Sequence, residues 1–250
     1  MGDYKLVALD MDGTLLNEQS EISEENANWI RKALDAGVTV SFSTGRGFQS
    51  ALPYAEQLGL ETPMITVNGG EIWSRPHVLH RRTLMEADYV RRLHEVAVGY
   101  GEPWFWAYTT QGIFNKEQWI AAGEDYEAYH WLKFGFYTED DKLLKRIWEE
   151  VAAWGAFEMT NSSPWNMELN PLGVSKASAI RELCGLLGIG MDEVVAVGDS
   201  LNDIAAIREA GLGVAMGNAQ DAVKEAADAI TLTNNEHGVA EVIRKYVLKG

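Results

Sequence analysis

The chain has 250 residues, 46% of them apolar and 23% charged, enough for one large globular domain or two modest ones. Its 37 acidic and 21 basic residues leave a net charge of −16, which argues against a broad nucleic-acid surface or a face for anionic membranes. A lone cysteine, Cys184, rules out an intramolecular disulfide, and no run reaches the roughly 20 apolar residues of a membrane span.

The opening MGDYKLVALD moves into a strand without the basic and long apolar regions of a secretory signal, so a cytoplasmic location is expected. Residues 4–10 (YKLVALD) are almost continuously apolar, as in a strand buried on both faces of a parallel sheet. A helix follows from about Ser23 to Ala36, with Ser23 as N-cap and Gly37 as its stop. VTVSFST (38–44) and MITVNG (64–69) read as further strands around a second helix. After residue 80 the rhythm changes. Helices are predicted over 86–101 and 140–155, and strands over 104–116, 132–138, 156–161 and 165–170, which suggests an α+β unit. Seven of the nine tryptophans lie between residues 104 and 165, in keeping with a separately packed domain. Alternation predicts that most of Trp104, Phe105, Trp106 and Tyr108 belong to its core. From Lys176 the strand–helix alternation returns through VVAVGD (194–199), GVAMG (213–217) and AITLT (229–233).

Four polar clusters stand at or near predicted ends of core segments: Asp10/Asp12/Thr14, Ser43-Thr44-Gly45-Arg46, Lys176, and Gly198-Asp199-Ser200-Leu201-Asn202-Asp203. An open parallel sheet presents the carboxyl ends of its strands at one edge, where ligands bind, so these clusters are expected to converge. Asp10, Asp12, Asp199 and Asp203 form a carboxylate set with no histidine or cysteine, which favours a hard cation, Mg²⁺ above others. Lys176 and the Thr44-Gly45 turn suit phosphate. Taken singly, each has a duller reading: Asp12-Gly13 as a turn, Thr44 as a helix cap, Lys176 as a solvated lysine. Taken jointly, they describe phosphoryl transfer.

DMDGTLLN, STGR, GVSK and GDSLND resemble, in order, the four motifs of the haloacid dehalogenase (HAD) superfamily. VNGGEI, ELNPLGVSK and the tail from VAMGNAQ onward resemble its Cof-type branch. The resemblance implies an α/β fold: a Rossmann-like parallel sheet core over 1–82 and 167–250, with an inserted α+β cap of type C2 over 83–166. It implies a Mg²⁺-dependent phosphatase of small phosphate esters, sugar phosphates foremost; a monomer is the default expectation, and the acidic charge leaves no nucleic-acid or membrane partner expected. Asp10 would be the nucleophile that becomes an aspartyl-phosphate, and Asp12 the acid and then the base. Residues i and i+2 of an extended segment point the same way, so both carboxylates are expected near one phosphate. Asp10, the Asp12 carbonyl and Asp199 would hold Mg²⁺, with Asp203 in support. Met11, Thr44, Gly45, Lys176 and Asn202 would hold phosphoryl oxygens. Arg46 would serve substrate or structure, and Asn68 would lie near the substrate edge. Ala177 stands where the family often has glycine, and NGG (68–70) where it often has NGA. A phosphomutase and a phospho-accepting signalling domain are the alternatives. The first would need an extra basic cluster in the cap, and the second is about half this length.

Overall fold

The computed structural model describes residues 4–101, 103–121 and 125–249. In chain order the first stretch holds β1 (Leu6–Leu9), α1 (Glu24–Asp35), β2 (Thr39–Ser43), α2 (Phe48–Leu58), β3 (Met64–Thr66), β4 (Glu71–Arg75) and β5 (Val78–Arg82). The middle stretch holds α3 (Ala87–Gly99), β6 (Trp104–Thr109), β7 (Ile113–Asn115), β8 (Trp131–Tyr137), α4 (Asp141–Ala152), β9 (Phe157–Thr160) and β10 (Asn166–Pro171). The last holds α5 (Lys176–Leu187), β11 (Val194–Gly198), α6 (Ile204–Glu209), β12 (Leu212–Ala215), α7 (Asp221–Ala226), β13 (Ala229–Ile230) and α8 (Gly238–Val242).

The outer stretches, up to Arg81 and from Ser175, form one compact unit, and Arg82–Val174 forms another. In the first, eight strands run in the order β13-β12-β11-β1-β2-β3-β4-β5. Strands β13 to β3 are parallel, and β4 turns back antiparallel on β3. Strand β1 sits between β2 and β11, and all four of its residues are buried. Val7 and Leu9 pack with Ile30 of α1 and Phe48 of α2, while Leu6 and Ala8 pack with Ile180 and Leu183 of α5. Helices therefore cover both faces, which is why β1 and β11 read as unbroken apolar runs. The N-terminus of α1 is fixed as its sequence predicts: the Ser23 hydroxyl accepts the Asn26 amide at 3.2 Å.

Two elements depart from the expected pattern. MITVNG is a strand only through Thr66; Val67–Gly69 form a 3₁₀ turn with Asn68 at φ 54°. The β4–β5 edge pair has its outer residues exposed.

The second unit is a five-stranded antiparallel sheet, β7-β6-β8-β10-β9. Phe105, Phe134, Phe136, Met167 and Leu169 pack with Val90 and Leu93 of α3 and Ile147 of α4. Of the four aromatics expected mostly in the core, only Phe105 is there. Trp104, Trp106 and Tyr108 alternate onto the opposite face and are exposed or half-buried. That face also carries a buried ion pair, Lys133 Nζ to Glu168 Oε2 at 3.2 Å. The second unit runs to Val174, past the expected border at 166, because β10 pairs with both β8 and β9 as far as Pro171.

Candidate active site

The site grows from the carboxyl ends of β1, β2 and β11 and the first turn of α5. Asp10 follows β1, and its amide still bonds the Val197 carbonyl of β11 at 3.0 Å. The chain then turns: the Met11 carbonyl accepts the Leu16 amide at 2.9 Å, and Gly13 takes φ +77°. A Cβ at position 13 would lie 2.6 Å from an Asp199 oxygen, so only glycine permits the close approach of these loops. Beyond β11, Asp203 Oδ2 accepts the Asp199 and Ser200 amides at 3.0 and 3.1 Å. A Cβ on Gly198 would sit 2.2 Å from the Asp203 carboxyl carbon.

Lys176 is the first residue of α5, placed by a capping box between Ser175 and Ser178. Its side chain is 1% exposed. Nζ donates to Asp10 Oδ1 at 2.6 Å and to Asp203 Oδ1 at 2.7 Å. Asp199 accepts from the hydroxyls of Thr14 and Ser200, each at 3.0 Å. Carboxylate oxygens of Asp10, Asp199 and Asp203 lie within 4.8 Å of one another, so residues up to 193 positions apart in sequence share one pocket.

Charge accounts for the electrostatics. Burial drives the Asp10 carboxyl well above its ordinary value; Lys176 opposes this, while Asp203 and Asp199 reinforce it. Burial, then Asp203, push Asp199 up to about 6. Burial works against the charge on Lys176, but Asp10 and Asp203 outweigh it and hold the ammonium above the usual lysine range. One ammonium faces three carboxylates. An all-oxygen donor set with surplus negative charge, framed by glycines that admit no Cβ, fits a hard divalent cation.

The other expected site residues fall around this cluster. Thr44 is fully buried; its hydroxyl accepts the Arg46 amide at 3.1 Å, and its carbonyl accepts the Asn68 amide at 2.9 Å. Gly45 lies in the same turn. Asn68 is buried, and its Oδ1 accepts Asn202 Nδ2 at 3.2 Å. The Met11 side chain is in the core, so a phosphate role falls to its backbone. Asp12 does not share a face with Asp10: the turn directs it outward, with its side chain 56% exposed, and Arg46 grips it at 2.6 and 2.7 Å. The extended-strand argument fails there because β1 ends at Leu9. The hydrogen bonding it donates to Asp12 is the largest of the effects that hold the Arg46 guanidinium above its ordinary value. Sequence reasoning gave no role to Ser200, to Tyr54 behind Arg46, or to Asn218, whose Nδ2 donates to the Gly13 carbonyl at 2.8 Å. Ser200 lies inside a quoted motif; the contact of Asn218, 205 residues from its partner, leaves no local signal.

The model of the haloacid dehalogenase-like hydrolase family matches residues 7–243, nearly the whole chain. The chain belongs to this family. It is 48% identical, over 98% of its own length and 97% of the relative's, to the 5-amino-6-(5-phospho-D-ribitylamino)uracil phosphatase YcsE of Bacillus subtilis. A solved haloacid dehalogenase-like hydrolase from B. subtilis superposes with a TM-score of 0.88 at 28% identity, covering 97% of this chain and 99% of that one. A second, from Bacteroides thetaiotaomicron, gives 0.80 at 31% identity, also covering 97% and 99%. The family and its phosphatase relatives make this HAD protein a phosphatase. Among the described residues no helix is long and apolar enough to cross a membrane.

Proposed function

We propose that this phosphatase hydrolyses a small phosphorylated metabolite with Mg²⁺ through an aspartyl-phosphate on Asp10, and that a phosphorylated ribitylaminopyrimidine is the first substrate to test. The substrate class comes from the relative that is 48% identical over nearly full length. The observation that carries the chemistry is the junction of buried Asp10 with Asp199, Asp203 and Lys176.

In this reading an Asp10 oxygen attacks phosphorus while the ester oxygen leaves with a proton from Asp12. Water then attacks the phosphorus of the aspartyl-phosphate, Asp12 takes the water's proton, and Asp10 departs as a carboxylate. Lys176 holds the nucleophile in place and offsets part of its charge. Asp203 orients the Asp199-Ser200 backbone and anchors Lys176. Asp10, Asp199 and the Asp12 carbonyl would hold Mg²⁺, with Asp203 in support. When bound, Mg²⁺ neutralises the phosphoryl oxygens and the crowded carboxylates.

The test measures phosphate release from 5-amino-6-(5-phospho-D-ribitylamino)uracil and from p-nitrophenyl phosphate. EDTA is expected to abolish both activities and Mg²⁺ to restore them. Asp10→Asn is expected to lower both by at least about 10³-fold. Near-normal turnover in that variant would remove Asp10 as nucleophile. Activity on p-nitrophenyl phosphate alone would remove the pyrimidine substrate.

A further inference from the structure

The tail motif VAMGNAQ, residues 214–220, has no part in the chemistry above, yet it lies against both loops that carry the carboxylates. Past β12 the chain turns at Met216–Gln220, and the Ala219 amide donates to the Met216 carbonyl at 3.0 Å. The backbone of this turn holds the loop after β11. The Met216 amide donates to the Gly198 carbonyl at 3.0 Å, and the Gln220 amide to the Asp199 carbonyl at 2.9 Å. Its one long polar side chain between them, Asn218, donates from Nδ2 to the Gly13 carbonyl at 2.8 Å, in the turn after β1. One short turn is thus fastened to the peptide next to Asp12 and to Asp199 itself.

The direction of the Asn218 amide is set by its other partner. Its Oδ1 accepts the Asn234 amide at 2.9 Å, which leaves Nδ2 to face Gly13. Asn234 is buried, and its own Nδ2 donates to the Leu16 carbonyl at 2.9 Å, farther along the same turn. Gly13 has no side chain to be held by packing, so hydrogen bonds hold its peptide: Asn218 takes the carbonyl, and the Thr14 amide of that peptide donates to the Met11 carbonyl at 3.3 Å. We infer that Asn218, aimed by Asn234, is a positioning residue that fixes the spacing between the Asp12 carbonyl and the Asp199 carboxylate, so that the Mg²⁺ site is assembled before the ion arrives. The inference rests on the proposed Mg²⁺ roles of the Asp12 carbonyl and Asp199. Asn218 acts on those ligands only through the Gly13 backbone, as an outer partner of the site. A residue that merely supported the fold would change melting and leave the affinity for the ion alone.

Asn218→Asp isolates the contact. It keeps an acceptor for the Asn234 amide and turns the donor facing Gly13 into a second oxygen. The added negative charge by itself tightens a divalent cation, whereas loss of the clamp loosens it, so the two effects have opposite signs. Asn218→Ala repeats the test without the charge. Titration calorimetry of the metal-free protein with MgCl₂ is expected to give a dissociation constant about 10-fold above wild type for both variants. With Mg²⁺ saturating, kcat and KM on p-nitrophenyl phosphate should stay within about 3-fold of wild type. Asn218 is exposed, so melting in EDTA should shift by no more than about 2 °C. Asn235→Ala removes a similar contact farther from Asp12, Oδ1 to the Glu18 amide at 3.1 Å, and is expected to bind Mg²⁺ as wild type does. Wild-type affinity in Asn218→Ala, tighter binding in Asn218→Asp, or equal weakening in Asn235→Ala would overturn the inference while the metal site stands. If wild type itself binds no Mg²⁺, the reading of that site fails and takes the inference with it.

Discussion

Asp199 shows how the site sets its own pH dependence. Its carboxyl, ordinarily at 3.8, is raised to about 6 by burial and then by Asp203, so the folded chain keeps a proton that the unfolded chain has already released. The stability this contributes is complete below about pH 4 and is lost as pH rises through about 6. Asp199→Asn keeps the shape and removes the charge. In EDTA the variant is expected to melt about 5 °C above wild type at about pH 7.5, with roughly half that gap at pH 5. Added Mg²⁺ should raise wild type and leave the variant nearly unmoved. Thermal melts check both arms, and a variant less stable than metal-free wild type at pH 7.5 would contradict the account. The convergence of Asp10, Asp199, Asp203 and Lys176 was legible because residue type and strand-end position suffice to bring them together. The orientation of Asp12 was not: its partner Arg46 is 34 positions away, and only the turn at Met11–Thr14 aims one at the other.

Strand ends and helix starts carry the site, so defects in caps should be felt as chemistry. Ser175 and Ser178 form the capping box of α5, and Lys176 is the first residue inside it. Ser175→Ala removes the acceptor for the Ser178 amide, at a cost of about 1 kcal/mol. A fall in melting temperature of about 2–4 °C is expected. The lysine at that helix start is also expected to lose registry with Asp10, lowering kcat severalfold; calorimetry and turnover on the same samples check the pair. A stability loss with unchanged kcat would mean that the buried contacts of Lys176 hold it without the cap. Which elements could be foreseen follows from burial. β1 and β11 are almost unbroken apolar runs because helices cover both faces. The β4–β5 edge pair was missed because SRPHVLHRR is exposed and polar, with no apolar period to detect. The strand predicted through Gly69 ends early because Val67 and Asn68 take positive φ, a conformation that side-chain pattern does not encode.

Over the chain as a whole, two sequence-distant stretches share one sheet, and the Arg82–Val174 stretch builds its own. That independence makes exchange between relatives feasible if the cut respects strand pairing. A graft of 83–166 would sever β10 from the segment it belongs to, leaving β8 and β9 with a foreign strand between them. A graft of 82–174 moves the whole five-stranded sheet with α3 and α4. We expect the second chimera, made with the corresponding segment of YwpJ, a B. subtilis phosphatase 32% identical to this chain, to fold, melt higher with Mg²⁺ and hydrolyse p-nitrophenyl phosphate. The first is expected to lose at least a few kcal/mol, because buried Phe134, Phe136, Met167 and Leu169 no longer share one origin. If the Arg82–Val174 unit selects the substrate, the folded chimera ranks a panel of phosphorylated metabolites as YwpJ does. If the ranking stays that of the parent, selection resides in the unit that carries Asp10. The two outcomes require only phosphate release measured across one panel for three proteins.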